Sequence, residues 1–203
     1  MFRPLVPALL LSALAVAPQF SAAAPAAPQP APQALSADAR TQWFREARLG
    51  IFIHWGVYSV PAGEYKGRPI GWIGEWIMKQ APIPVADYRA FARDFTASAY
   101  EPEAWADLIK ESGARYTVIT SKHHDGFSLY DSAVSDWDVA GDCPAPDDLL
   151  APLANAVRAR GLKFGLYYSQ AQDWTHPGGA IMGTKAGEPG WDPAQTGDFD
   201  AYL

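Results

Sequence analysis

Three of the chain's four histidines, His54, His123 and His124, follow short apolar runs, and the side chains around them are the kind that bind polar ligands. Imidazole both donates and accepts hydrogen bonds, so a group of such rings can orient a polyhydroxylated molecule without a metal. It can also ligate zinc, but successive strand side chains point to opposite faces, which argues against His123 and His124 sharing one ion. Glu75-Trp76 lies in a glycine-rich stretch between the first two runs. A carboxylate accepts bonds from hydroxyl groups, and an indole covers an apolar face. Asp125 is of a type that could be catalytic, but it precedes Gly126 and reads equally as a residue that only fixes the turn. Asp136 and Asp138, flanking Trp137, read as surface or capping residues.

The elements that must position these groups are legible as continuous apolar strands. Leu49–Ile53 runs into His54-Trp55-Gly56, Tyr116–Ser121 into Lys122-His123-His124, and Leu162–Tyr168 into Ser169-Gln170. Between them, Val85–Phe95 carries Tyr88, Phe91 and Phe95 at helical spacing. Pro102 opens a helix to Ser112 that Gly113 ends, and Asp147-Asp148 opens another to Arg160 that Gly161 ends. Val57–Pro84 reads as one long loop, and a further helix begins at Asp198. Strands of this kind, joined by helices, predict a parallel sheet with chemistry at its C-terminal ends. A glycine fingerprint for a dinucleotide or phosphate is absent, so the α/β class expected is the first three to four units of a (β/α)8 barrel, incomplete. A whole barrel takes about 250 residues, and this chain has 203.

Composition bounds the partners. Net charge is -6 with the 16 Lys and Arg dispersed, which argues against nucleic acid. Eight Trp and nine Tyr suit sugar faces where they fall on loops, although most Trp residues are core. Cys143 is the chain's one cysteine and leaves no intrachain disulfide. Arg3, the apolar stretch Leu5–Val16 and Ser21-Ala22-Ala23 read as a cleavable signal peptide over residues 1–23. The apolar stretch is shorter than the about 20 residues a membrane span needs, so no stable membrane anchor is expected and the protein is read as secreted or periplasmic. Residues 24–37 are rich in Ala and Pro and read as a linker, leaving 38–203 as the folded barrel part.

Several stretches together resemble the α-L-fucosidases of glycoside hydrolase family 29. They are Trp43-Phe44, the run from Gly50 through His54-Trp55-Gly56 to Pro61, Gly74-Glu75-Trp76, Lys122-His123-His124-Asp125-Gly126-Phe127, Gly165-Leu166-Tyr167-Tyr168-Ser169 and Asp173-Trp174. The resemblance covers Trp43 to about Trp174. It implies a retaining exo-glycosidase with a barrel catalytic domain, acting on a fucosylated glycan or glycoconjugate without cofactor or metal. It further implies that His54, Glu75, His123 and His124 bind the fucose hydroxyls and that Trp76 and a tyrosine border the pocket. That tyrosine is assigned to Tyr168, with Tyr167 as the alternative. The family's nucleophile and acid/base match no residue here, so both are expected beyond Leu203. The 203 residues made alone are therefore expected to be inactive, and poorly soluble through open strand edges. A carbohydrate-binding remnant without catalysis and a metal-dependent hydrolase using the histidines are the competing readings.

Overall fold

The computed structural model describes residues 36–180 and 198–202. The signal-peptide segment and all but the end of the linker lie outside the described residues. A unit spanning Ala37–Leu203 holds the folded elements. It opens with helix α1, Ala37–Ala47, which places Trp43 and Phe44 against Tyr116 with ring centroids 5.8 and 5.6 Å away. Neighbouring Trp43 and Phe44 do not make a helical stripe, so no periodicity announces this helix.

Strand β1, Gly50–Ile53, is followed by a 3-10 turn, Val57–Ser59. The stretch expected as one loop is in fact built: β2, Glu64–Tyr65, and β3, Arg68–Pro69, form an antiparallel hairpin. Its two turn residues, Lys66 and Gly67, have φ of 50° and 72°, as a type I′ turn requires. Lysine at the first of these positions is what hides the hairpin from a sequence reading. A 3-10 turn at Gly74–Trp76 then leads into α2, Ile77–Gln80.

The helix expected over Val85–Phe95 divides into α3, Val85–Arg89, and a 3-10 segment, Ala90–Asp94. Helix α4, Pro102–Glu111, ends at Gly113, whose φ of 84° suits only glycine without cost. Strand β4, Tyr116–Lys122, is followed by the short helix α5, Val139–Asp142. Asp138 caps α5, accepting from the Ala140 and Gly141 amides, and Asp136 is an exposed partner of Arg89. Helix α6, Leu150–Ala159, starts later than expected, with Asp148 accepting from the Leu150 and Ala151 amides. Strand β5, Lys163–Tyr168, and a helical turn α7, Phe199–Tyr202, complete the described elements.

The sheet has order β1-β4-β5, and both pairings are parallel. Helices α4 and α6 pack together, and their apolar sides, Ile109, Leu153 and Val157, share one core with Ile119 and Leu162. All three strands therefore point their C-terminal ends the same way. No helix among the described residues is long and apolar enough to cross a membrane.

Candidate functional site

Strand alternation sorts the residues at the end of β1. Phe52 and His54 share one face, their rings 4.4 Å apart, while Trp55 turns to the other and packs on Phe95, Tyr100 and Trp105. Phe52 pairs with Val118, and Tyr167 with Thr120 two residues further on, so Tyr167 rises from the same face as Phe52. Their rings lie 5.7 Å apart.

Strand β4 ends at Lys122, so His123 and His124 lie in the turn that follows and escape strict alternation. Their ring centroids are 4.2 Å apart, and both reach the same site. His123 lies 5.5 Å from His54 and 5.7 Å from Tyr167, with buried Tyr58 behind it at 5.8 Å. His124 meets Trp76 edge-on at 5.4 Å and Trp174 at 5.3 Å, and Trp76 meets Trp174 at 5.2 Å. Glu75 closes the group, its Oε1 3.9 Å from His54 Nε2. The Gly74–Trp76 turn thus delivers a carboxylate and an indole together.

The structure brings together His54, Glu75, Trp76, His123 and His124, but not Tyr168. The tyrosine that sits among the histidines is Tyr167. Tyr168 points to the opposite side, under the Lys122 ammonium at 5.0 Å, and lines a separate cleft of about 510 Å³ with Lys122, Asp173 and Tyr202. Period-2 alternation separates neighbours, and the sheet register decides which of two adjacent tyrosines faces Phe52. Asp125 stays out of the site as the turn reading expects. It is 1% exposed, accepts from the Tyr88 hydroxyl at 2.8 Å and the Phe127 amide at 3.3 Å, and burial pushes its carboxyl up to about 7. Trp174, quoted above only within a family motif, and Ser169, quoted there and as the residue after the third strand, also reach the group. The loop after β5 is pinned there by Trp174 N–H donating to His124 O at 2.7 Å.

Electrostatics favour neutral rings at His123 and His124. Burial, reinforced by His124 and His54, lowers His123 to about 3. Burial also lowers His124, helped by the Lys122 and His54 charges and opposed by Glu75. Neutral rings offer one donor and one acceptor each, and Glu75 adds an acceptor pair, which is a binding set for hydroxyl groups. His54, Glu75 and His123 also offer one ligand atom each within 4.8 Å of one another. At zinc–nitrogen bonds of about 2 Å the donors would stand closer than the 3.9 Å between His54 and Glu75, so an ion would require the three to draw together.

A parallel α/β sheet carrying a ring-lined group of imidazoles and a carboxylate at its strand ends defines the class. Within that class, the family model for α-L-fucosidase matches residues 15–189, and the chain belongs to this family. Tissue α-L-fucosidase of Rattus norvegicus is 41% identical over 175 residues, which are 83% of this chain and 37% of the rat protein. The α-L-fucosidase AlfC of Lactobacillus casei, in complex with α-L-fucose product, matches with TM-score 0.69 and 39% identity over 80% of this chain and 50% of its own. A GH29 α-L-fucosidase of Bacteroides thetaiotaomicron matches with TM-score 0.70 and 30% identity over 82% of this chain and 36% of its own. The chain therefore spans about two fifths of the length of the rat relative and half or less of these two structures.

Proposed function

We propose that these residues form the sugar-binding part of a retaining α-L-fucosidase that releases terminal α-L-fucosyl groups. The observation that carries the reading is the ring wall of His54, His123, His124 and Tyr167 closing on Glu75 at the ends of parallel strands. A glycosidically bound fucose presents ring hydroxyls for the imidazoles and the carboxylate. Its 6-deoxy methyl suits the apolar faces of Tyr167, Trp76 or Trp174. In this reading the three strands are units of a (β/α)8 barrel, and the site opens at the barrel's C-terminal face.

Retention needs two carboxylates roughly 5–5.5 Å apart, one attacking the anomeric carbon and one moving the proton. Neither role is assigned to a described residue: Glu75 acts in this reading as an acceptor for the sugar hydroxyls, and Asp125 and Asp173 are committed to Tyr88 and Lys122. Titrating the 203-residue chain with L-fucose and with a sugar of different stereochemistry tests the binding half. Saturable binding of L-fucose, weakened by His123→Gln, is expected, and indifference to stereochemistry would overturn it. Binding without hydrolysis of an aryl α-L-fucoside is the outcome expected for this chain. The same outcome in the natural gene product would favour a binding remnant.

The spacing of His54, Glu75 and His123 sustains one second reading, a metal-dependent hydrolase. Activity of the full-length protein that survives exhaustive chelation would dismiss it. Export is proposed on the character of residues 1–23, and N-terminal sequencing of the mature protein from outside the cytoplasm checks it.

A further inference from the structure

The hydroxyl of Ser169 lies at the end of β5, 5% of the residue exposed, between two partners. It donates to the Gln172 carbonyl at 2.9 Å, and it stands 2.7 Å from His124 Nδ1. A serine hydroxyl has one proton. If that proton pointed to His124, the hydroxyl oxygen and the Gln172 carbonyl oxygen would face each other with lone pairs at hydrogen-bond distance. One arrangement satisfies both contacts: Ser169 donates to Gln172, and His124 Nδ1–H donates to Ser169.

We infer that Ser169 is a positioning residue that holds His124 as the Nδ1–H tautomer, so that Nε2 presents a lone pair to a hydroxyl of the bound sugar. Nε2 of His124 has no partner among the described residues, and it is not among the buried unpartnered atoms, so it is the edge left for a ligand. His124 is then a dedicated acceptor, and the hydroxyl it meets must donate.

The serine can impose this because its own position is fixed. Its amide donates to the Lys122 carbonyl at 3.0 Å, and its carbonyl accepts from Lys122 Nζ at 2.9 Å. Lys122 is in turn paired with Asp173. The neighbouring ring has the opposite constraint. Nδ1 of His123 is buried without a partner among the described residues. A buried orphan lone pair is tolerated better than a buried orphan N–H, which puts the His123 proton on Nε2. Adjacent histidines would then offer one donor and one acceptor, a pattern for two neighbouring sugar hydroxyls.

The tautomer stands on geometry, whereas the sugar as ligand rests on the fucosidase reading, and one experiment separates them. Histidine-specific 15N labelling of the intact protein, with the His124 signal assigned by its loss in His124→Gln, reads the protonated nitrogen directly. A one-bond proton coupling at Nδ1 and none at Nε2 is expected. Ser169→Ala should give a mixture of tautomers and weaken L-fucose binding about 3- to 10-fold, the worth of one hydrogen bond. Ser169→Thr, which keeps the hydroxyl, should restore both. A proton on Nε2 in the wild type, an imidazolium, or an unchanged tautomer in Ser169→Ala would overturn the proposal. The wild-type spectrum decides even if the alanine variant does not fold. The stated tautomer in a protein that ignores L-fucose would sink the fucosidase reading and leave the role of Ser169 standing.

Discussion

The Lys122 ammonium lies 2.9 Å from the Asp173 carboxylate with the two side chains only 3% and 8% exposed. Lys122 also donates to Ser169 O and to the Tyr202 hydroxyl, so one residue at the end of β4 ties the loop after β5 to α7. The loop so held carries Ser169 and Trp174 into the site.

Removing one partner of this pair leaves the other charge buried. Lys122→Met is expected to cost about 3–5 kcal/mol, read as unfolding free energy in urea, whereas Lys122→Met with Asp173→Leu should recover part of it. Burial alone would lower the Lys122 pKa, but Asp173 and Tyr202 outweigh it and the net shift is upward. A raised folded pKa means the contribution is complete below the unfolded value and lost as pH rises through the folded one. Stability from this pair should therefore be flat through neutral pH and fall only in strongly alkaline solution.

Asp125 should give a slope at lower pH. Burial raises its folded pKa from 3.8 to about 7, so the folded state holds a proton that the unfolded state gives up earlier. Stability is greatest below the unfolded pKa and declines as pH rises through about 7, by about 4 kcal/mol at 1.36 kcal/mol per unit. Urea titrations of wild type and Asp125→Asn at several pH values check this: the difference between them should grow from acid to neutral pH and then level off.

Gly126 has a φ of 80°, and an added Cβ would land on the Asp173 carboxylate and the Thr175 hydroxyl. Gly126→Ala combines a left-handed backbone with a collision against fixed atoms. A loss of about 2 kcal/mol or more is expected, with weaker L-fucose binding because His123 and His124 leave the same turn. A thermal melt within a degree of wild type would contradict it.

The two adjacent tyrosines should separate cleanly. Tyr167→Ala removes the ring that faces His54 and His123 and should weaken L-fucose binding roughly tenfold, about 1.4 kcal/mol. Tyr168→Leu lies under Lys122 on the other side and should change affinity by about twofold or less, well below one tenfold step. Calorimetric titration of both variants checks the order, and the reverse order would return the role to Tyr168.

Much of the frame was legible in the sequence because its signals are local. Apolar runs at Leu49–Ile53, Tyr116–Ser121 and Leu162–Tyr168 announced three strands, and helices between them implied parallel pairing. Burial on both faces does not hold for the outer two, where Phe52, Leu166 and Tyr168 are about half exposed. His54, His123 and His124 could be placed at strand ends from their positions alone. Helix α1 and the β2–β3 hairpin left no such trace, since one is held by ring contacts to Tyr116 and the other turns on a lysine at positive φ.

The sequence by itself thus determined which residue types stand at the ends of which strands, because a side chain's place along a strand follows from chain order and a period of two. Tertiary structure decided what those residues meet. The choice of Tyr167 over Tyr168 depends on the register of β5 against β4, with its shift between Thr120 and Lys122. The link from Ser169 to His124 spans 45 residues, and that from Lys122 to Tyr202 spans 80. Contacts at such separations exist only once loops have closed and partners are fixed in space, and no local periodicity encodes them.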